Sequence, residues 1–127
     1  MSERNFTHPR AEEIELPTLL FALSDPTRLG IVAALAGGAE HSAGELCSTL
    51  AGDIPKSTMS HHLKILREAG VIEMEKRAQQ RIYRVAPEAM REVEDWAGAI
   101  RNQWARRFDA LDALLKEEAA KPPKEQE

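Results

Sequence analysis

From Glu15 to Gly70 the apolar positions recur every three or four residues; from Val71 to Val85 they recur every second one. The first spacing is that of helices facing a core, the second that of strands. A short helix is predicted over 17–24. Pro17 suits its first turn, and Leu19-Leu20-Phe21-Ala22-Leu23 is apolar nearly all round, so burial on more than one side is expected. Ser24-Asp25-Pro26 stops it, with Asp25 placed to cap a second helix that opens on Pro26. That helix is expected to reach about Ala36, to turn Leu29, Val32, Ala33 and Ala36 to the core, and to end at Gly37-Gly38.

Ser42 and Glu45 have the capping-box spacing of a third helix, with Leu46, Thr49 and Leu50 expected on its inner face. After a turn, a fourth helix is predicted over 55–69. Met59, Leu63 and Leu66 form its apolar stripe, and Gly70 its C-terminal cap. The period then changes to two. Ile72 and Met74 alternate with glutamates, and Ile82 and Arg84 alternate with Tyr83 and Val85, which predicts a hairpin over 71–85. Its link, Lys76 to Gln80, lacks Gly, Asn and Asp, so an open tip is expected rather than a tight turn. A last helix is predicted over 87–118 from Met90, Val93, Trp96, Ile100, Trp104, Phe108, Leu111 and Leu115, with Gly98 its one residue suited to a bend.

The element order is therefore α-α-α-α-β-β-α: mostly α with a β-hairpin wing, a winged helix-turn-helix with a long C-terminal helix. The expected organisation is a polar arm over 1–15, one domain over 16–118, and a disordered tail over 119–127 that contains Pro122-Pro123.

Charge sharpens this reading. The chain has 127 residues, 30% of them charged, and a net charge of −4; the pI of about 5.6 does not by itself point to nucleic acid. The distribution does. Residues 56–85 hold Lys56, Lys64, Arg67, Lys76, Arg77, Arg81 and Arg84 against Glu68, Glu73 and Glu75, a net +4 that leaves −8 for the rest. A basic patch on an acidic body suits an anionic partner. The single cysteine, Cys47, excludes an intramolecular disulfide and a four-cysteine zinc site within one chain. No apolar run approaches the ~20 residues that span a bilayer, and no apolar stretch follows the N-terminal charges. A cytoplasmic chain without membrane contact is expected. No nucleophile is paired with a base and no phosphate loop is present, so neither an enzyme nor a cofactor is predicted.

With Met59, Leu63 and Leu66 turned inward, the fourth helix presents Ser57, Ser60, His61 and Lys64 on its other side. Such side chains hydrogen-bond base edges or phosphates, and the N-terminal half of such a helix enters the major groove. Lys56, Ser57 and Thr58 sit where free N–H groups and the helix dipole favour a phosphate. The wing adds Lys76, Arg77, Gln79 and Arg81. These ten residues are the predicted DNA-binding set.

Two strings carry a family resemblance: FALSDPTR from Phe21 to Arg28, and PKSTMSHHLKILREAGVI from Pro55 to Ile72. Over about residues 16–85 the chain resembles the ArsR/SmtB winged-helix repressors of bacteria. The resemblance implies a homodimeric repressor that binds inverted repeats in double-stranded DNA, is released by a metal or another effector, and dimerises through its first and last helices. The arsenic-sensing members' Cys-x-Cys ligands fall on Ser42 and Gly44, and residues 87–118 hold none of the histidines that zinc-sensing members use there, so no metal site is expected. A small molecule or redox chemistry at Cys47 is left as the effector. The predicted dimer interface is Leu19, Leu20, Leu23, Trp96, Ile100, Trp104, Phe108 and Leu111. The competing reading is a winged-helix protein-interaction module without sequence-specific DNA binding.

Overall fold

The computed structural model describes Phe6 and residues 14–50 and 54–122. It divides the chain into two compact units, one up to Val93 and one from Glu94 onward. The predicted arm over 1–15 lies largely outside the described residues, as does the end of the predicted tail.

In the first unit, α1 spans Leu16–Ala22 and α2 spans Pro26–Ala34, followed by a 3-10 turn over Ala36–Gly38. A two-residue strand, β1 (His41–Ser42), leads into α3 (Ala43–Thr49), and α4 covers Lys56–Glu68. The hairpin is β2 (Ile72–Arg77) and β3 (Gln80–Val85); α5 runs from Pro87 to Ala120 without interruption at Gly98. β1 was not predicted. It pairs His41 with Tyr83 and Ser42 with Ile82, so the wing is a three-stranded antiparallel sheet in the order β1-β3-β2.

The caps follow the sequence. Asp25 Oδ2 accepts from the N–H of Thr27 at 2.8 Å and of Arg28 at 3.1 Å. Ser42 and Glu45 close a full capping box, the Glu45 N–H donating to Ser42 Oγ and the Ser42 N–H to Glu45 Oε1. The Arg28 N–H, foremost, holds the Asp25 carboxyl below its ordinary pKa, and the Ser42 N–H does the same for Glu45. A carboxyl whose pKa is lower folded than unfolded contributes stability above the unfolded value and loses it as pH falls through the folded one. The melting temperature is therefore expected to fall below about pH 4. Asp25→Asn, which still caps but does not titrate, should flatten part of that acid limb in a calorimetric pH series.

The core gathers Leu19 and Ala22 of α1, Ile31 of α2, Leu35 just beyond it, Leu46 of α3, and Met59, Leu63 and Leu66 of α4, with Val71, Ile72 and Tyr83. The α2 stripe differs from the predicted one. Ile31 and Leu35 are wholly buried and Arg28 nearly so, whereas Leu29 and Ala33 are exposed. Ile31 and Leu35, four positions apart, form the buried stripe, and Arg28, three positions before Ile31, lies on the same side. Leu19 is likewise wholly buried within the chain, which removes it from the predicted dimer surface. Leu20 and Leu23 are half-buried, and the exposed aromatic of α1 is Phe21.

The hairpin also departs from expectation. Arg77 pairs with Gln80, so the link is a two-residue turn, Ala78-Gln79, with Ala78 at φ +53°. Alanine pays for a left-handed conformation that glycine adopts freely. Ala78→Gly is expected to raise stability by up to about 1 kcal/mol, measured by urea unfolding. Gly70, at φ +85°, closes α4 as predicted, with the Val71 N–H reaching Leu66 O at 2.9 Å.

Glu73 and Glu75, the glutamates that alternate with Ile72 and Met74, are buried. Arg84 Nε donates to Glu73 Oε2 at 2.8 Å, and Arg77 Nε donates to Glu75 Oε1. Phe6, itself buried, lies under the Arg84 guanidinium at 3.8 Å from the ring centroid. Toward its base the wing is thus covered on both faces, one by the apolar core and one by ion pairs with Phe6.

Candidate nucleic-acid interface

Burial of Met59, Leu63 and Leu66 turns the opposite side of α4 outward, and Lys56, Ser57, Thr58, Ser60, His61 and Lys64 are all exposed there. Pro55 is the N-cap and supplies no side-chain hydrogen bond. The first backbone N–H groups of α4 therefore lack a side-chain cap and, by helix geometry, an intrahelical acceptor. The positive end of the dipole stands beside Lys56. Lys64 Nζ lies 3.9 Å from Glu68 Oε1, but both side chains are about 70% exposed, so the pair constrains Lys64 little.

The wing sorts its cations by strand parity. Lys76 and Arg81 are register partners and both are exposed. Like charges directly opposite each other on a sheet repel, and an anion between them relieves that repulsion. Arg77 and Arg84 point to the other face. Arg77 is half-buried, bonds Glu75 and reaches Glu40 Oε1 at 2.9 Å. The hydrogen bond to Glu75, then that to Glu40, raises its pKa further. Of the predicted set, Arg77 is the residue whose side chain is engaged with carboxylates, although it keeps 38% of its side-chain exposure. Gln79 is exposed at the tip.

A groove of about 390 Å³ runs between the wing and the starts of α3 and α4, lined by Gly44, Cys47, Lys56, Ser60, Arg81 and Tyr83 among others. It brings together Lys56 and Ser60 of α4 with Gln79 and Arg81 of the wing, four of the predicted set. Gln80, outside the predicted set, also lines it. Its signal lay in the hairpin register, which a wrongly assigned tip concealed. Among the described residues, no group of three or more His, Cys, Asp and Glu is placed to hold a metal ion. Ser42, one of the two positions that match arsenic ligands, is occupied as the α3 cap.

This geometry has close relatives. A helix-turn-helix domain family matches residues 23–75. The arsenical resistance operon repressor of Escherichia coli K12 is 34% identical over 103 residues, covering 80% of this chain and 83% of that protein. The chain belongs to the ArsR/SmtB family of winged helix-turn-helix transcriptional regulators. The biofilm growth-associated repressor of Agrobacterium fabrum strain C58 is 43% identical over 77 residues, which span 61% of this chain and 62% of that protein's length. An ArsR-like transcriptional regulator from Rhodococcus sp. RHA1 superposes with a TM-score of 0.62 at 28% identity, over 78% of this chain and 91% of that one. The relatives named here are transcriptional repressors and regulators, not enzymes. No single helix among the described residues is long and apolar enough to cross a membrane.

In the second unit, α5 exposes Trp96, Ile100, Trp104, Phe108, Leu111, Leu114 and Leu115. The rings of Trp104 and Phe108 stack with centroids 5.8 Å apart. Leu114 was not in the predicted set. It continues the same apolar face by steps of three and four.

Proposed function

We propose that this ArsR/SmtB regulator is a cytoplasmic homodimeric repressor. It binds an inverted-repeat operator with α4 in the major groove and the wing along the phosphate backbone, and it leaves DNA when an effector acts. The observation that carries this reading is the outward face of α4, with Ser57, Ser60, His61 and Lys64 opposite the buried Met59-Leu63-Leu66 stripe and flanked by exposed Lys76 and Arg81. That the Escherichia coli and Agrobacterium relatives are repressors supports it. The bases are read by Ser60 and His61; Lys56, Lys64, Lys76 and Arg81 bind phosphates, with Ser57, Thr58 and Gln79 in reach of either. The second copy packs on the α5 face of Trp96, Ile100, Trp104, Phe108 and Leu111, and Leu20 and Leu23 of α1 make the smaller contribution. Dimerisation places the two α4 helices one DNA turn apart, roughly 34–36 Å.

Fluorescence anisotropy against duplex DNA from the chain's own upstream region, across a salt series, tests the reading. Binding of two protomers per palindrome with a steep salt dependence is expected, each neutralised phosphate adding roughly −0.9 to the log–log slope. Binding that is independent of salt, or equal on random duplex, overturns it in favour of a protein-interaction module.

The effector acts as a small molecule or through redox chemistry. Cys47 is half-buried at the groove. Its role in the DNA-bound state is that of a small side chain, so Cys47→Ser should leave operator affinity unchanged within about twofold by the same assay.

A further inference from the structure

Arg28 is the charged side chain of α2 that turns into the core, 8% exposed. Its Nε donates to Ala22 O at 2.6 Å, at the end of α1. Its Nη1 lies 3.3 Å from Nδ1 of His62 on α4. One guanidinium thus ties the end of α1 to the middle of α4. A guanidinium only donates, so Nδ1 of His62 accepts and the ring proton resides on Nε2. Asp25 completes the cluster. Its Oδ2 accepts the Thr27 and Arg28 N–H groups and lies 4.0 Å from His62 Nδ1.

We propose that Arg28, Asp25 and His62 form a clamp that positions the recognition helix for sequence-specific DNA binding. The proposal rests on the operator-binding reading above. The apolar contacts of Met59, Leu63 and Leu66 hold α4 on the core, but hydrophobic burial is not directional. A hydrogen bond from a planar, rigid fork is directional. Successive residues on a helix diverge by about 100°, so holding His62 against α2 fixes the direction of its neighbour His61, and with it Ser57, Ser60 and Lys64. His61 is exposed, while the His62 side chain is 13% exposed. The Asp25-Pro26-Thr27-Arg28 string, beyond capping α2, aims the DNA-reading face from behind. None of the three residues needs to touch DNA.

The full-length chain tests this with two labelled duplexes, one from its own upstream region and one of random sequence. Arg28→Met keeps the stem and removes the donors; His62→Leu removes the acceptor and leaves Arg28 bonded to Ala22. Both are expected to lose roughly tenfold on the upstream duplex and less than about twofold on the random one. His62→Asn, which offers an acceptor near the place of Nδ1, should restore most of the loss. Simple destabilisation lowers both affinities together, so the ratio isolates positioning. If Arg28→Met fails to melt cooperatively, His62→Leu carries the comparison. An unchanged ratio in a folded His62→Leu variant overturns the proposal.

Imidazole 15N NMR of the free wild-type chain gives a readout that does not depend on DNA. His62 is expected as the Nε2–H tautomer, and Arg28→Met should release it to a tautomer mixture. A wild-type His62 protonated at Nδ1 alone overturns the clamp even if operator binding is found. The expected tautomer in a chain with no preference for upstream DNA overturns the operator reading, and the positioning role with it.

Discussion

The wild-type chain should sediment as a dimer, and the chain carrying both Ile100→Glu and Trp104→Glu as a monomer at the same concentration. Both residues are exposed in the single chain, 40% and 58%, so neither is needed to complete its core. A helix with an apolar stripe of this size has no reason to keep it in water unless another surface covers it. Buried tryptophans at interface centres are worth about 2–4 kcal/mol each on truncation. A glutamate in their place adds the desolvation of an unpaired carboxylate. At 1.4 kcal/mol per tenfold, the dissociation constant should rise by about three orders of magnitude or more. Thermal unfolding of the variant should stay cooperative, since the core gathered around Leu63 is untouched. An unchanged dimer in sedimentation would refute the assignment of this face to a second copy. Loss of the dimer should also weaken operator binding, because the two half-sites are then bound independently.

The second large effect is on DNA. Lys76→Glu combined with Arg81→Glu should lower operator affinity by about a hundredfold at 0.15 M salt and reduce the magnitude of the salt slope by about 2. These two exposed cations face each other across the hairpin. Reversing them replaces attraction by repulsion along the backbone, and sequence preference should survive if, as proposed, α4 reads the bases. Arg77 is the internal control. It lies next in sequence to Lys76 but bonds Glu75 and Glu40. Arg77→Met is expected to leave the salt slope nearly unchanged while loosening the hairpin. Equal slopes for the double reversal and the wild type would remove the wing from the interface.

Much of the recognition unit was legible from the chain alone, and the reasons are local. The Met59-Leu63-Leu66 stripe has a single period and a polar opposite side, so only one face of α4 can go inward. Asp25, Ser42 with Glu45, and Gly70 act on backbone groups within a few residues of themselves, so their roles follow from spacing. The wing was legible as a hairpin because the period changes at Val71. Its tip was not, because turn statistics favour Gly, Asn and Asp, whereas here the strand register forces Ala78 to positive φ. The burial of Glu73 and Glu75 was not legible, because most of what covers them lies on other elements. Their cover comes from Arg84 on the next strand, from Phe6 about 70 positions away, and from the alternation that turns Arg77 inward.

The sequence by itself determined the order of the helices and the hairpin, the caps at Asp25, Ser42 and Gly70, which face of α4 goes inward, and which chain segment collects the basic residues. These depend on periodicity, capping and composition, all of which act over one or two turns. The tertiary structure alone decided which side of the apolar α2 faces inward, that Leu19 is core and not interface, and that Arg77 and Arg84 neutralise carboxylates while Lys76 and Arg81 face solvent. It also joined Arg28 to His62 across 34 positions. Those outcomes depend on which buried polar groups find partners from distant elements. An unpaired charge in a core costs more than any local preference supplies, and so long-range pairing overrides the local pattern wherever the two compete.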